Sequence, residues 1–424
     1  MKEEFLYYIW KYRLLKYNIK TNDGESLQII KPGERNNNSG PDFFNAKIKI
    51  GKTTWAGNVE IHINSSDWYR HNHHEDKSYD NIILHVVYAN DVNVFRKSGE
   101  KIPTIELKEN FDLKLLDRYN DFMNSKTWIP CEKLIHLTDN FIIFSWIESL
   151  LIERLEKKSS LIISNLKNNN MDLEQTFYEH LAMNFGFKLN AEAFIMLARS
   201  LPIKYLLKHK NNNFQVEAML FGQAGFLKEK ILEDYPFELR KEYQFLQHKY
   251  SLYPIDTHIW KFLRLRPSNF PTIRISQFAA LICRSSSLFS KIIESENISE
   301  IMNIFEISAS NYWNDHYTFK KISARKSQKI FGDNSKDLLI INAIVPFLFA
   351  IGKHKKDERY IEKALRFLEE TNGEINSITK KWKTLSINTS SAYYTQGLIE
   401  LKNNYCNQKK CLNCRIGDFL LKNS

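Results

Sequence analysis

Two consecutive segments of strict alternation constrain this chain more than any other feature. Phe44, Ala46, Ile48 and Ile50 take one face, and Asn45, Lys47 and Lys49 take the other. After Gly51-Lys52 the alternation resumes. Trp55, Gly57, Val59, Ile61 and Ile63 then oppose Ala56, Asn58, Glu60 and His62. A period of two is the pattern of a half-buried strand, and the Gly-Lys junction makes a tight hairpin turn. Residues 82–88 are almost uniformly apolar and read as a strand covered on both faces. The spacing also predicts a helix over 3–18 and a short strand over 27–31. A polar or short helical segment is expected over 65–79, and a last hairpin from 92–95 and 102–107.

From about residue 138 the period changes to 3.6. Helices are expected over 141–166, 173–185, 191–207, 216–235, 239–250, 273–284, 298–305, 335–351 and 358–370. The expected fold class is therefore α+β. A mixed sheet domain over 1–125 precedes a larger all-α domain over 126–424 that ends in a cysteine-containing tail. An apolar fraction of 43% supplies enough core for two domains and excludes general disorder. No fixed-period repeat suggests a solenoid.

The net charge is +11, and residues 1–110 contribute +1 of it. The remaining +10 lies in residues 111–424, a surplus that suits a polyanion such as nucleic acid. Met1-Lys2-Glu3-Glu4 lacks the basic start of a signal peptide. The longest apolar run, 338–352, contains Asn342 and Pro346 and is too short to span a bilayer. Five cysteines, an odd number, suit a reducing compartment better than a disulfide framework. The expectation is a cytoplasmic protein with no membrane partner.

Chemistry-bearing side chains gather over 40–88. Pro41-Asp42 opens one alternating strand, and Glu60-x-His62 lies on the next. Residues two apart on a strand share a face, so Glu60 and His62 point the same way. Converging carboxylates suit Mg²⁺ or Mn²⁺, and such a cation polarises a phosphodiester and activates water. Five of twelve histidines, His62, His71, His73, His74 and His85, fall in the same stretch. His85 is the further ligand candidate, or with Asp80 an outer partner, whereas His73 and His74 read as solvated loop positions. Zn²⁺ or Mn²⁺ would suit imidazole with carboxylate. His74-Glu75 lacks the second histidine of a zinc-protease helix.

A second group is Cys406-x4-Cys411-x2-Cys414, which Cys131 could complete if the fold brings it near. Its candidate cofactors are Zn²⁺ or an iron–sulfur cluster. A third is Lys261, Arg264, Arg266 and Arg274 among Trp260, Phe262, Phe270 and Phe278, a pattern that can hold phosphates and stack bases. Lys320, Lys321, Arg325, Lys326 and Lys329 add positive charge. Gly51-Lys52-Thr53 lacks the first glycine of a phosphate loop, and Gly222–Gly225 lacks the strand-then-helix setting of a dinucleotide site.

Asp42 and Glu60-x-His62, with the order of elements around them, resemble the PD-(D/E)XK nuclease superfamily, whose signature is Pro-Asp followed by Asp/Glu-x-Lys. The resemblance implies that Asp42 and Glu60 bind metal, and that His62 stands where the lysine positions or activates water. The cysteine spacing resembles the iron–sulfur loop of helical DNA glycosylases. The long motifs Asn38–Ala46, Trp55–His62, Ser65–Trp68, Tyr79–Val87, Phe221–Phe226 and Leu263–Thr272 resemble an uncharacterised bacterial family, domain of unknown function 2851. That resemblance implies no activity. The expected function is a metal-dependent nuclease. The alternatives are a non-catalytic nucleic-acid-binding protein with a degenerate nuclease fold, or a protein-interaction scaffold.

Overall fold

The computed structural model describes every residue except 37, 229–232, 285–287, 320 and 424. Part of the helix expected over 216–235, and Lys320, lie outside the described residues. The chain divides into two compact units, Met1–Trp146 with Lys402–Ser424, and Ile147–Leu401. The α+β class holds, with the sheet in the N-terminal region and a larger helical region after it.

The first unit opens with α1 (Glu3–Lys11), which buries Phe5, Leu6, Ile9 and Trp10. Acidic Glu3 and Glu4 sit in its first turn and Lys11 in its last, matching the helix dipole. The expected helix over 3–18 stops early. Arg13 adopts a positive φ of 53°, and Leu14 N–H donates to Ile9 O, so the chain closes on the left-handed cap rather than continuing.

Six strands follow: β1 (Leu27–Lys31), β2 (Glu34–Arg35), β3 (Phe43–Ile50), β4 (Thr53–Asn64), β5 (Ile82–Ala89) and β6 (Thr104–Glu106). The path is β1-β3-β4-β5-β6, with β2 beside β3. The β3–β4 hairpin is antiparallel, whereas β4–β5 and β5–β6 are parallel. The parallel β4–β5 step needs a crossover, and the chain between them contains α2 (Asp67–Arg70). The expected hairpin of 92–95 with 102–107 reduces to a single Phe95–Lys101 bridge. Residues 104–106 instead continue the main sheet alongside β5, because apolar Ile105 is buried there.

The alternation in β3 also shifts. Asn45 has a φ of 54°, and the pairing with β4 slips between Phe43 and Ala46. This bulge buries Phe43 in place of Phe44, while Ala46, Ile48 and Ile50 keep the expected face. In β4 the second half is buried on both faces, so Glu60 and His62 are as enclosed as Val59 and Ile61.

Among its described residues the second unit is mainly helical, with a short pair of strands, β7 (His316–Thr318) and β8 (Lys321–Ile322). Aromatic and aliphatic side chains such as Phe185, Phe194, Phe221, Phe278 and Leu348 form its core. Pro202 divides the helix expected over 191–207 into Phe187–Ser200 and Ile203–Lys208. The apolar run expected to be too short for a bilayer is part of a longer helical stretch, Asp333–Lys355. Its 23 residues suffice by length and composition, and 78% of its apolar window is buried inside the protein. A π segment at Ile340–Ile344 interrupts its α-helical ladder.

Gly57 sits where β4 approaches the start of β5. A Cβ there would meet Ile83 Cγ2 at 2.5 Å and the Asn81 carbonyl oxygen at 2.8 Å. Gly57→Ala should therefore cost about 1–3 kcal/mol through forced strand separation, read as a lowered thermal midpoint. Trp55→Ala, at a partly exposed position two residues away, should shift the midpoint far less.

Candidate metal centre on the sheet face

The mixed sheet is what assembles this site. The β3–β4 register pairs Phe43 with Val59, which sets Asp42 beside Glu60. The parallel β4–β5 register pairs Glu60 with His85. Asp42, Glu60, His62 and His85 thus converge, as the hydrogen bonds show. Asp42 N–H donates to Glu60 Oε2 at 3.0 Å, and Ile61 N–H donates to Asp42 Oδ2 at 3.0 Å. His62 Nδ1 and His85 Nε2 lie 2.8 Å apart.

Residues that local patterns left aside complete the group. His71 and His73 follow α2, and His71 Nδ1 stands 3.2 Å from His62 Nε2. His73 departs from its expected place in a solvated loop. It stacks on Tyr79, with ring centroids 3.9 Å apart, and brings Nε2 to 3.4 Å from Glu60 Oε1. His62 Nε2 lies 3.5 Å from the same carboxylate oxygen. One ligand atom from each of His62, His71 and His73 lies within 4.8 Å of the others. His74 points elsewhere, 3.7 Å from Glu75. Asp80 is exposed and accepts from Arg96 through its backbone oxygen, outside this cluster.

Arg35 on β2 donates to Asp42 Oδ1 at 2.7 Å, and its guanidinium lies 3.7 Å from the centroid of the Tyr7 ring on α1. Both Asp42 oxygens are therefore engaged, one by Arg35 and one by the Ile61 amide. Glu60 Oε1 is the carboxylate oxygen that faces the imidazoles. Glu3, also on α1, is close enough for its charge to act on Glu60.

Burial dominates the electrostatics. It pushes the Glu60 carboxyl up to about 9, and the neighbouring Asp42 charge adds to the rise. Asp42 is also raised by burial, against the opposing pull of Arg35. Burial lowers His62 to about 2, His73 to about 4 and His85 to about 3, and neighbouring imidazoles deepen each shift. These histidines are neutral, with lone pairs available to a cation. If His62 Nε2 is the ligating atom, Nδ1–H must donate to His85 Nε2. His85 then fixes the His62 tautomer from behind, as outer partners of metal-bound histidines do. His85 is fully buried, and its Nδ1 has no hydrogen-bond partner.

The other sequence candidates are not members of this imidazole group. Lys261, Arg264 and Arg266 are exposed in the helical unit. Arg274 is buried, with its guanidinium donating to Gln277, Asn269 and Ser335 between the Phe187 and Phe331 rings. It braces the core, and its buried Nε has no hydrogen-bond partner. Trp260 is also buried and donates to Ala224 O. Lys329 is buried and bonded to Asn314 and Ser327. Cys131, Cys406, Cys411 and Cys414 all fall in the sheet unit.

The lowered imidazoles set a pH dependence. Below about 6.5 the unfolded chain takes up protons that His62, His73 and His85 refuse in the fold. The metal-free protein should thus lose stability as pH falls from about 6.5 toward 4. Thermal melts in chelator should show this loss, and it should shrink in His73→Gln.

The chain belongs to the family described as a protein of unknown function (DUF2851), which matches residues 3–377. No curated protein and no solved structure matches it.

Proposed function

We propose that this sheet unit carries a metal-dependent phosphodiesterase site that acts on a nucleic-acid strand. The observation that carries the reading is the approach of the His62 and His73 imidazoles to Glu60 Oε1, with His71 beside His62 and the Arg35-held Asp42 next to the carboxylate. Three imidazoles with one carboxylate suit Zn²⁺ or Mn²⁺ better than Mg²⁺, which prefers oxygen ligands. His62, His71, His73 and Glu60 would hold the ion, with Asp42 at its edge. A bound cation would supply Lewis acidity, polarising a phosphoryl oxygen and making water acidic. The chain's own part is to present an oriented ligand set, with Glu60 and His62 buried and His71 open to solvent. Glu60 holds a proton on its carboxyl when no cation is present and must release it to ligate. Cation affinity should accordingly rise with pH through the neutral range.

The substrate class follows from the cleft beside the site. A cavity of about 740 Å³ is lined by Lys2, Lys11, Arg35 and Lys410, with the rings of Tyr7 and Tyr119 among them. Cations interleaved with aromatic faces hold a single strand through its phosphates and bases. Arg35 and Tyr7 belong to both the cleft and the Asp42 environment, so a strand in the cleft would lead to the carboxylates. The strand order, an antiparallel pair followed by a crossover to a parallel strand, supports the likeness to PD-(D/E)XK nucleases at the level of fold analogy. His62 occupies the place of their lysine, consistent with a donor set built for a softer ion.

The test is turnover of single- and double-stranded DNA and RNA with Mn²⁺, Zn²⁺ or Mg²⁺. We expect Mn²⁺- or Zn²⁺-dependent cleavage. Glu60→Gln should lower it by more than the roughly 10–100-fold that outer partners give, and His85→Phe should fall within that range. Lys11→Glu with Lys410→Glu should weaken strand binding and flatten its salt dependence. Cleavage unaltered in both Asp42→Ala and Glu60→Gln would overturn the site. Salt-dependent binding without turnover under any metal would leave a non-catalytic nucleic-acid-binding protein.

A further inference from the structure

The tail is tied back to the sheet unit by side chains that bracket four cysteines. Lys402 Nζ donates to Trp128 O at 2.6 Å, and Lys409 Nζ donates to Ser125 O at 3.1 Å and also to Met123 O. These tethers join residues 402–409 to the segment that ends in Cys131, and Cys406 lies between the two lysines. Cys411 and Cys414 bracket a short turn in which Cys414 N–H donates to Cys411 O at 3.3 Å. The C-terminal helix, Arg415–Asn423, starts immediately after Cys414. Gly417 makes its close approach possible, because a Cβ there would meet the Cys411 carbonyl oxygen at 2.3 Å.

All four thiols are unpaired by disulfide, and Cys411 and Cys414 are buried. Each is pushed above the ordinary thiol range, first by burial. In Cys131, Cys406 and Cys411 the neighbouring thiols add to the rise. The backbone amides of Ile416 and Gly417 act in the opposite sense, donating toward the Cys414 sulfur. Amides turned toward a sulfur favour the thiolate and are the kind of contact that tunes metal-bound sulfur. Four neighbouring thiols, two buried and two half-buried, that would repel one another as thiolates form a set that a multivalent cation satisfies.

We propose that Cys131, Cys406, Cys411 and Cys414 ligate an iron–sulfur cluster that staples the tail to the sheet unit. Sulfur spacing favours a cluster over a single zinc. Around one Zn²⁺ the sulfurs would stand about 3.8 Å apart, given Zn–S bonds of about 2.3 Å. Among the described residues, however, the group with three ligand atoms within 4.8 Å of one another is the imidazole trio and not a trio of these thiols. A four-iron cluster gives each thiolate its own iron at a separate corner, so the thiolates stand farther apart. Cluster assembly on the chain releases the four thiol protons as four thiolates bind iron. The centre stands independently of the hydrolase reading, because it uses none of the imidazole-site residues.

The experiment is anaerobic purification of the full chain, followed by quantification of iron, acid-labile sulfide and zinc, and an absorption spectrum. If needed, the protein is reconstituted with Fe²⁺ and sulfide. We expect about four irons and four sulfides per chain, with broad visible absorption. Cys131→Ser and Cys411→Ser should each lose most of that iron. Cys283→Ser, in the helical unit, and Glu60→Gln should retain it, which separates this centre from the imidazole site. Should the serine variants fail to fold, Gly417→Ala offers a second measure, since its Cβ crowds Cys411 and should make the cluster more labile to chelator. Stoichiometric zinc in place of iron would overturn the proposal. So would a folded chain that holds neither iron nor sulfide after reconstitution, or a cluster undiminished in both serine variants.

Discussion

The buried polar face of β4 is the constraint on which the sheet unit turns. Glu60, His62 and His85 are all enclosed, and burying such groups costs several kcal/mol unless they find partners. The fold offsets that cost locally. The Asp42 amide meets Glu60, the Ile61 amide meets Asp42, and His85 meets His62. Arg35, itself stacked on Tyr7, holds the remaining Asp42 oxygen. The Asp42 contacts come from the antiparallel neighbour of β4, and the His85 contact comes from its parallel neighbour. A sheet of one sense alone would not bring Asp42 and His85 to the same stretch of β4.

The same burial explains why the site's groups sit so far from their ordinary titration ranges. Desolvation keeps a proton on Glu60 and keeps protons off His62, His73 and His85. A site tuned by burial in both directions holds neutral donors before a cation arrives. That is the state a ligand set must reach to bind one. In the helical unit buried polar groups take a different role. Glu217 accepts from Ser276 and Tyr235, and Arg274 is enclosed by amide and hydroxyl partners. Those groups close inward on one another, whereas Glu60 Oε1 faces a cluster of unprotonated nitrogens.

Much of the architecture was legible in the sequence because local periodicity reports local burial. The alternation at 43–50 and 53–63, the apolar strand at 82–88 and the helices at 173–185 and 358–370 all follow that rule. Departures occurred where one residue's backbone overrode the pattern. Asn45 in the left-handed region slips the β3 alternation, Arg13 ends α1, and Pro202 splits a helix. His73 was misplaced for another reason. Its neighbours in sequence are polar, and distant contacts enclose it, among them the stack on Tyr79, the His62 ring and the approach to Glu60. Glu3 and Arg35 carried no periodic signal: Glu3 acts on Glu60, far along the chain, and Arg35 reaches Asp42 through the pairing of β2 with β3.

The sequence by itself determined which side chains could do chemistry and on which element each stands: Asp42 at the head of β3, Glu60 and His62 on one face of β4, His85 within β5, and three cysteines in a short tail. Strand parity and spacing suffice for that, since they act between near neighbours. Tertiary structure alone decided which of these meet. The parallel crossover set His85 behind His62, the turn after α2 delivered His71 and His73, and the tethers of Lys402 and Lys409 carried the tail to the segment bearing Cys131. The physical reason is that contacts between residues distant in sequence depend on pairing register and on shared burial, and neither leaves a periodic trace in the chain.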